Sequence, residues 1–148
     1  MSHLFFFRGE VTVKKARHFI FCNPTQLKYL ADAYAWYIDG TFKIVKDPVK
    51  QLLTIHILIN SDNQRVSVPV CFVLMARRHK IDYCAVLAEI VRLICQYNKD
   101  RTGIADGPRV KKVMADFEIA LWQSLRKLSV DVFFCSDLIL KGCYFHFA

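Results

Sequence analysis

The sequence predicts an α/β domain built on a mixed sheet, and three observations carry that expectation. Three β-rich segments, near Trp36–Val45, Gln51–Ile59 and Arg65–Met75, follow one another with short polar connections. Two amphipathic segments of helical period come next, and each is followed by another apolar stretch. Short connections favour an antiparallel meander, whereas a strand reached through a helical crossover usually joins the sheet in parallel.

Each element has its own local justification. His18–Cys22 is a short aromatic and β-branched run that suits a strand. Asn23-Pro24-Thr25-Gln26 starts a helix: Asn23 suits the N-cap, Pro24 the first helical position, and Gln26 can reach back as in a capping box. Leu27, Leu30, Ala31 and Tyr34 continue at helical spacing. The next strand holds Trp36, Ile38, Phe42 and Ile44 on one parity and Tyr37, Asp39, Thr41 and Lys43 on the other. Asp47-Pro48 and Asn60–Gln64 are turn signals on either side of the second strand. His56 lies within that strand and reads as a packed or edge residue.

Asp82 can cap a long helix whose Tyr83, Val86, Leu87, Ile90, Ile94 and Tyr97 form a core-facing stripe. Residues 98–108 are polar and contain Gly103, Gly107 and Pro108, which predicts a loop. Val110–Asp116 reads as a strand ending in an acid, and a helix with Leu121, Leu125 and Leu128 inward follows from about Phe117. Val130–Cys135 suits a strand or buried connection, and Gly142–Phe147 is a last apolar segment. This order is that of a ribonuclease H-like α/β domain, in which the first and fourth strands lie side by side. Residues 1–17 read as a lead-in segment and 18–148 as the domain.

Composition narrows the function classes. A hydrophobic content of 54% with only five Gly and four Pro excludes disorder and low complexity. The apolar runs are too short to span a bilayer, so no membrane partner is expected. Cys22, Cys71, Cys84, Cys95, Cys135 and Cys143 show no Cys-x-x-Cys spacing, which suits reduced thiols in an intracellular protein. The formal net charge of +8 points to a polyanion, with nucleic acid the usual one. Arg77, Arg78 and Lys80 form one basic cluster, and Arg109, Lys111 and Lys112 a second. Both are candidate contacts to DNA phosphates; a solvated loop is the competing reading.

Asp39 and Asp116 are the candidate catalytic pair. An acid in mid-strand is unfavourable unless something uses it. If their strands are neighbours, about 5 Å apart, the two carboxylates would aim at one point. That arrangement suits a hard divalent ion such as Mg²⁺ or Mn²⁺. Two such ions about 4 Å apart serve phosphodiester displacement. An Asp-Gly turn at Asp39 and a helix N-cap at Asp116 are the plainer alternatives.

Three stretches resemble the transposase domain of Mutator-like elements (the MULE domain), found in animal proteins that also carry FLYWCH-type zinc fingers. They are Trp36–Phe42, Val113–Ala120 and Gly142–Phe147, and the likeness extends over roughly residues 18–148. The resemblance implies a DDE-type DNA transposase on a ribonuclease H-like fold, with Mg²⁺ or Mn²⁺ as cofactor, DNA as partner and the nucleus as location. Asp39 would match the first catalytic acid and Asp116 the second, both as metal ligands. Cys143 and His146 would match the family's Cys-x-x-His element. The third acid, a Glu, normally lies on a helix further downstream, so the expectation is a C-terminally truncated domain that is inactive alone. The complete protein would cleave DNA, transfer strands, and form a homo-oligomer if it follows the family. A domesticated or decayed copy that binds DNA without chemistry is the alternative.

Overall fold

The structure, a computed structural model, describes residues 7–41, 46–115, 118–131 and 139–142. Seven strands form a single mixed sheet in the order β1-β2-β5-β4-β3-β6-β7. The strands are β1 (Phe7–Val13), β2 (Ala16–Phe21), β3 (Ala35–Thr41), β4 (Gln51–Ser61), β5 (Gln64–Met75), β6 (Lys112–Ala115) and β7 (Ile139–Gly142). The helices are α1 (Pro24–Asp32), α2 (Lys80–Thr102) and α3 (Ile119–Asp131). The predicted meander is present as β3, β4 and β5, each antiparallel to the next. The predicted crossover is present too: β6 lies parallel to β3, and β7 parallel to β6.

Parity decides which face of the sheet carries the helices. Ile20, Trp36, Ile38, Leu53, Ile55, Val73, Met75, Val113 and Ala115 are buried, and they share one face by register. Trp36 on that face donates its indole N–H to the Leu30 carbonyl of α1 at 3.0 Å. Gln51 and His18, on the same face, bond to Tyr83 and Asp82 of α2. Helix α3 packs on α2, and its buried Ser124 donates to the Lys80 carbonyl at 3.0 Å. The opposite face carries Phe19, Phe21, Tyr37, Leu52, Thr54, His56, Phe72, Leu74 and Met114, all half-buried.

The start of α1 is built as the sequence predicts. The Asn23 side chain accepts from the Gln26 amide at 2.8 Å, and the Gln26 side chain accepts from the Asn23 amide at 2.9 Å. A bulge in β5 explains how Pro69 sits inside a strand: the register slips there, and Val70 and Cys71 both turn inward. Neighbouring groups satisfy the freed carbonyls, with the Cys22 thiol reaching Val70 at 3.2 Å and Gln26 reaching Pro69 at 3.5 Å.

Four expectations change. The lead-in segment supplies a strand of the same sheet, because β1 pairs with β2 across a two-residue turn at Lys14 and Lys15. Asp82 is not the N-cap of α2; His79 holds that place, and Asp82 accepts from the His79 amide at 2.9 Å from the third helical position. Helix α2 runs on to Thr102, through polar residues expected to form a loop, and ends at Gly103 with φ of 87°. Strand β7 lies at Ile139–Gly142, later than the Val130–Cys135 strand candidate and reaching only the first residue of the last apolar segment. The rest of that segment, with Cys143 and His146, lies outside the described residues, as do Phe42–Val45, Asp116 and the stretch 132–138.

Candidate functional site

Strands β3, β5 and β6 run the same way, so their C-terminal ends share one edge of the sheet. That edge is where ligands commonly meet open α/β sheets. Asp39 lies near it on β3, half-buried, paired across the ladder with Thr54 of β4. Its neighbour Ile38 pairs with Ala115, the last residue of β6. The two strands predicted to carry acids are therefore adjacent and parallel, with Asp39 following Ile38 and Asp116 following Ala115 in sequence. Asp116 itself lies outside the described residues. The parity of β3 places Asp39 on the face opposite the helices, beside Tyr37 and Thr41.

A carboxylate at this position fits a hard divalent ion in the kind of donor it offers. Among the described residues, no three His, Cys, Asp or Glu side chains stand together in a way that would hold a metal ion. Glu118, the acid next nearest Asp116 in sequence, faces α2. It accepts the Tyr83 hydroxyl proton at 2.6 Å and lies 3.8 Å from the Arg78 guanidinium. Tyr83 is fully buried and also accepts from the Gln51 amide at 2.7 Å. Burial and the Glu118 carboxylate both push the Tyr83 phenol well above its ordinary range, so the phenol serves as a fixed donor to Glu118.

The first basic cluster divides by role. Arg77 donates to both carboxylate oxygens of Asp82, at 2.7 and 3.0 Å, and to the Val13 carbonyl at 3.2 Å. Asp82 is buried, and it also receives the His18 ring N–H at 2.9 Å. His18 Nδ1 accepts from the Ala76 amide at 3.2 Å, which leaves Nε2 as the protonated nitrogen. Arg77 thus belongs to a network with buried Asp82 and His18 that ties β1, β2 and α2 together. Arg78, which lies 3.8 Å from Glu118, and Lys80 are exposed at the same edge as Asp39.

The second basic cluster lies at the other end of the sheet. Arg109 donates its amide to Ala31, and Lys111 and Lys112 donate theirs to Tyr34, at 3.0, 2.8 and 3.2 Å. Arg109 and Lys111 precede β6 and Lys112 is its first residue, paired with Ala35, so they stand where β3 begins. Sequence spacing gives no sign of this separation, because it follows from the parallel pairing of β3 with β6. The sequence likewise gives no sign of the buried network of His18, Asp82 and Arg77, since the reading of Asp82 as a cap rests on its position alone. A buried His facing an Asp sixty-four positions away leaves no local signal.

Cys22 and Cys71 are buried thiols outside any disulfide, and Cys84 and Cys95 are half-buried ones. Cys71 is pushed well above the ordinary thiol range by its contact with Cys22 and by burial, which makes it unreactive. Among the described residues no helix is long and apolar enough to cross a membrane. No protein-family model, curated protein or solved structure matches the chain.

Proposed function

We propose that this chain is the part of a ribonuclease H-like, DDE-type DNA transposase core that carries its first two acids, as the resemblance to Mutator-like transposases implies. The observation that supports this most is the parallel pairing of β3 with β6, in which Ile38, just before Asp39, faces Ala115, just before Asp116. The strand order β5-β4-β3-β6-β7 is the order such a fold uses, with β1 and β2 added beside β5.

In this reading Asp39 and Asp116 bind Mg²⁺ or Mn²⁺, which supplies Lewis-acid assistance to phosphodiester cleavage when bound. Arg78 and Lys80, exposed at the same edge, hold backbone phosphates of DNA. Cys143 and His146 form the Cys-x-x-His element. The nucleus is the expected location, and a homo-oligomer the expected state of the complete transposase.

A second reading is a domesticated module that binds DNA without cutting it. In that reading Glu118, engaged by Tyr83 and Arg78, serves the packing of α3 on α2 and not a metal. Metal-dependent nicking of labelled duplex DNA by the full-length protein separates the two. Asp39→Asn and Asp116→Asn are each expected to abolish Mg²⁺-dependent nicking. Nicking that survives both substitutions overturns the transposase reading, and salt-sensitive binding with no nicking by the unaltered protein supports the second.

A further inference from the structure

Beneath the start of β3 the surface holds a hollow of about 250 Å³. It is lined by Tyr29, Tyr34 and Tyr37, by the aliphatic chains Ile57 and Leu58, and by Arg65. Two of the tyrosines are strongly exposed, Tyr29 at 44% and Tyr34 at 62%. Their exposure follows from the local chain path. Tyr29 lies in the last turn of α1, Tyr34 lies in the connection that follows, and the long β4–β5 hairpin extends past β3 to form the far wall.

The hollow has a cationic border. Arg65 of the hairpin lines the hollow itself, Lys112 opens β6 paired with the lining residue Ala35, and Arg109 lines an adjoining hollow that shares Asp32 with this one. Asp32 also lines it, but its carboxylate faces Arg101 at 3.2 and 3.4 Å. Aromatic rings beside cations that track a backbone are the two parts of a site for unpaired nucleic acid. The rings take base faces, and the cations take phosphates. A quaternary ammonium group would also suit a cage of tyrosines. The Arg65 guanidinium in the same hollow repels such a guest and favours an anionic strand.

We propose that this hollow binds single-stranded DNA, with a base stacked on Tyr34 and Tyr29 and the adjoining phosphates held by Arg65, Arg109 and Lys112. The hollow opens at the start of β3, and Asp39 does not line it but stands two residues beyond Tyr37 on the same face. It rests on the nucleic-acid part of the reading above and not on its chemistry.

Fluorescence anisotropy of labelled oligonucleotides, in EDTA so that no cleavage intervenes, tests it with the full chain. The probes are an oligothymidylate, an abasic strand of equal length and a blunt duplex. The oligothymidylate is expected to bind more tightly than the abasic strand. Tyr34→Ala is expected to weaken oligothymidylate binding roughly tenfold, from loss of one stacking contact, and to leave the abasic strand unchanged. Tyr34→Phe keeps the ring and is expected to keep the affinity. Equal binding of abasic strand and oligothymidylate overturns this site while leaving the nucleic-acid reading in place. Failure of all three probes to bind overturns both. Because Tyr34 is mostly exposed, its replacement leaves the core intact, and unchanged thermal melting of the variants verifies this.

Discussion

Asp82 holds three groups at once: the Arg77 fork, the His18 ring and the His79 amide. Its carboxyl is fully buried, and burial alone would raise its proton affinity. The hydrogen bonds from Arg77, His18 and His79 outweigh burial and hold it below the ordinary carboxylate range. Removing one partner of a buried pair leaves the other desolvated, so Asp82→Ala is expected to cost about 3 to 5 kcal/mol in urea unfolding. The pH dependence follows from the direction of the shift. A folded value below the unfolded one, about 3.9, gives stability that is fully present above that pH. It is lost as pH falls through the folded value. The acid limb of the stability profile is therefore expected to flatten in Asp82→Asn, and an unchanged limb would assign acid unfolding to other carboxylates. At this scale the sequence showed Asp82 and His18 as separate residues, one a cap and one the start of a strand. Only the pairing of β2 with β5, which sets His18 opposite Met75, brings the ring over the start of α2.

Elements were legible where side-chain period alone decides them. The alternation of Leu53, Ile55 and Ile57 with Thr54 and His56 marks β4 as half-buried, and the structure keeps that face. The end of α2 was not legible, because Asn98 is polar and yet turns inward. Its amide donates to the Asp106 carbonyl at 2.7 Å, and Thr102 donates to the Asn98 carbonyl at 2.9 Å. A helix that satisfies polar groups through its own exit loop looks like a loop in composition. The β1–β2 turn was hidden for a different reason. Lys14 and Lys15 both adopt positive φ, 46° and 72°, the pattern of a type I′ turn. Lysine carries a β-carbon that disfavours this region, so nothing in a Lys-Lys pair signals a hairpin. Replacing the pair by Asn-Gly supplies the residues that such a turn prefers. The double change Lys14→Asn with Lys15→Gly is expected to raise stability by about 1 kcal/mol, read as a higher urea midpoint at unchanged slope. A fall in the midpoint would show that the lysine side chains contribute more than their backbone costs.

Across the whole molecule, the parallel alignment of β3 with β6 sorts the chain's charges into two ends. Asp39, Arg78 and Lys80 lie toward one, and Arg65, Arg109, Lys111 and Lys112 toward the other. The net charge of +8 was visible in the sequence, but its division was not, since Arg77–Lys80 and Arg109–Lys112 look equivalent until the strand directions are known. The division makes the binding thermodynamics separable. Each phosphate contact on a single strand contributes about −0.7 to the slope of log affinity against log salt. Arg109 is exposed, and its bond to Ala31 uses the backbone amide, so Arg109→Gln removes charge without disturbing that contact. Oligothymidylate binding by Arg109→Gln is expected to show a slope shallower by about 0.7. Tyr34→Ala, which removes a ring and no charge, is expected to lower affinity at every salt concentration at constant slope. Lys80→Gln, at the Asp39 end, is expected to leave both quantities unchanged for the single strand. Anisotropy titrations across a salt series measure all three. A slope change on Lys80→Gln equal to that on Arg109→Gln would mean that the strand spans both ends of the sheet, and the separation of the two sites would fail.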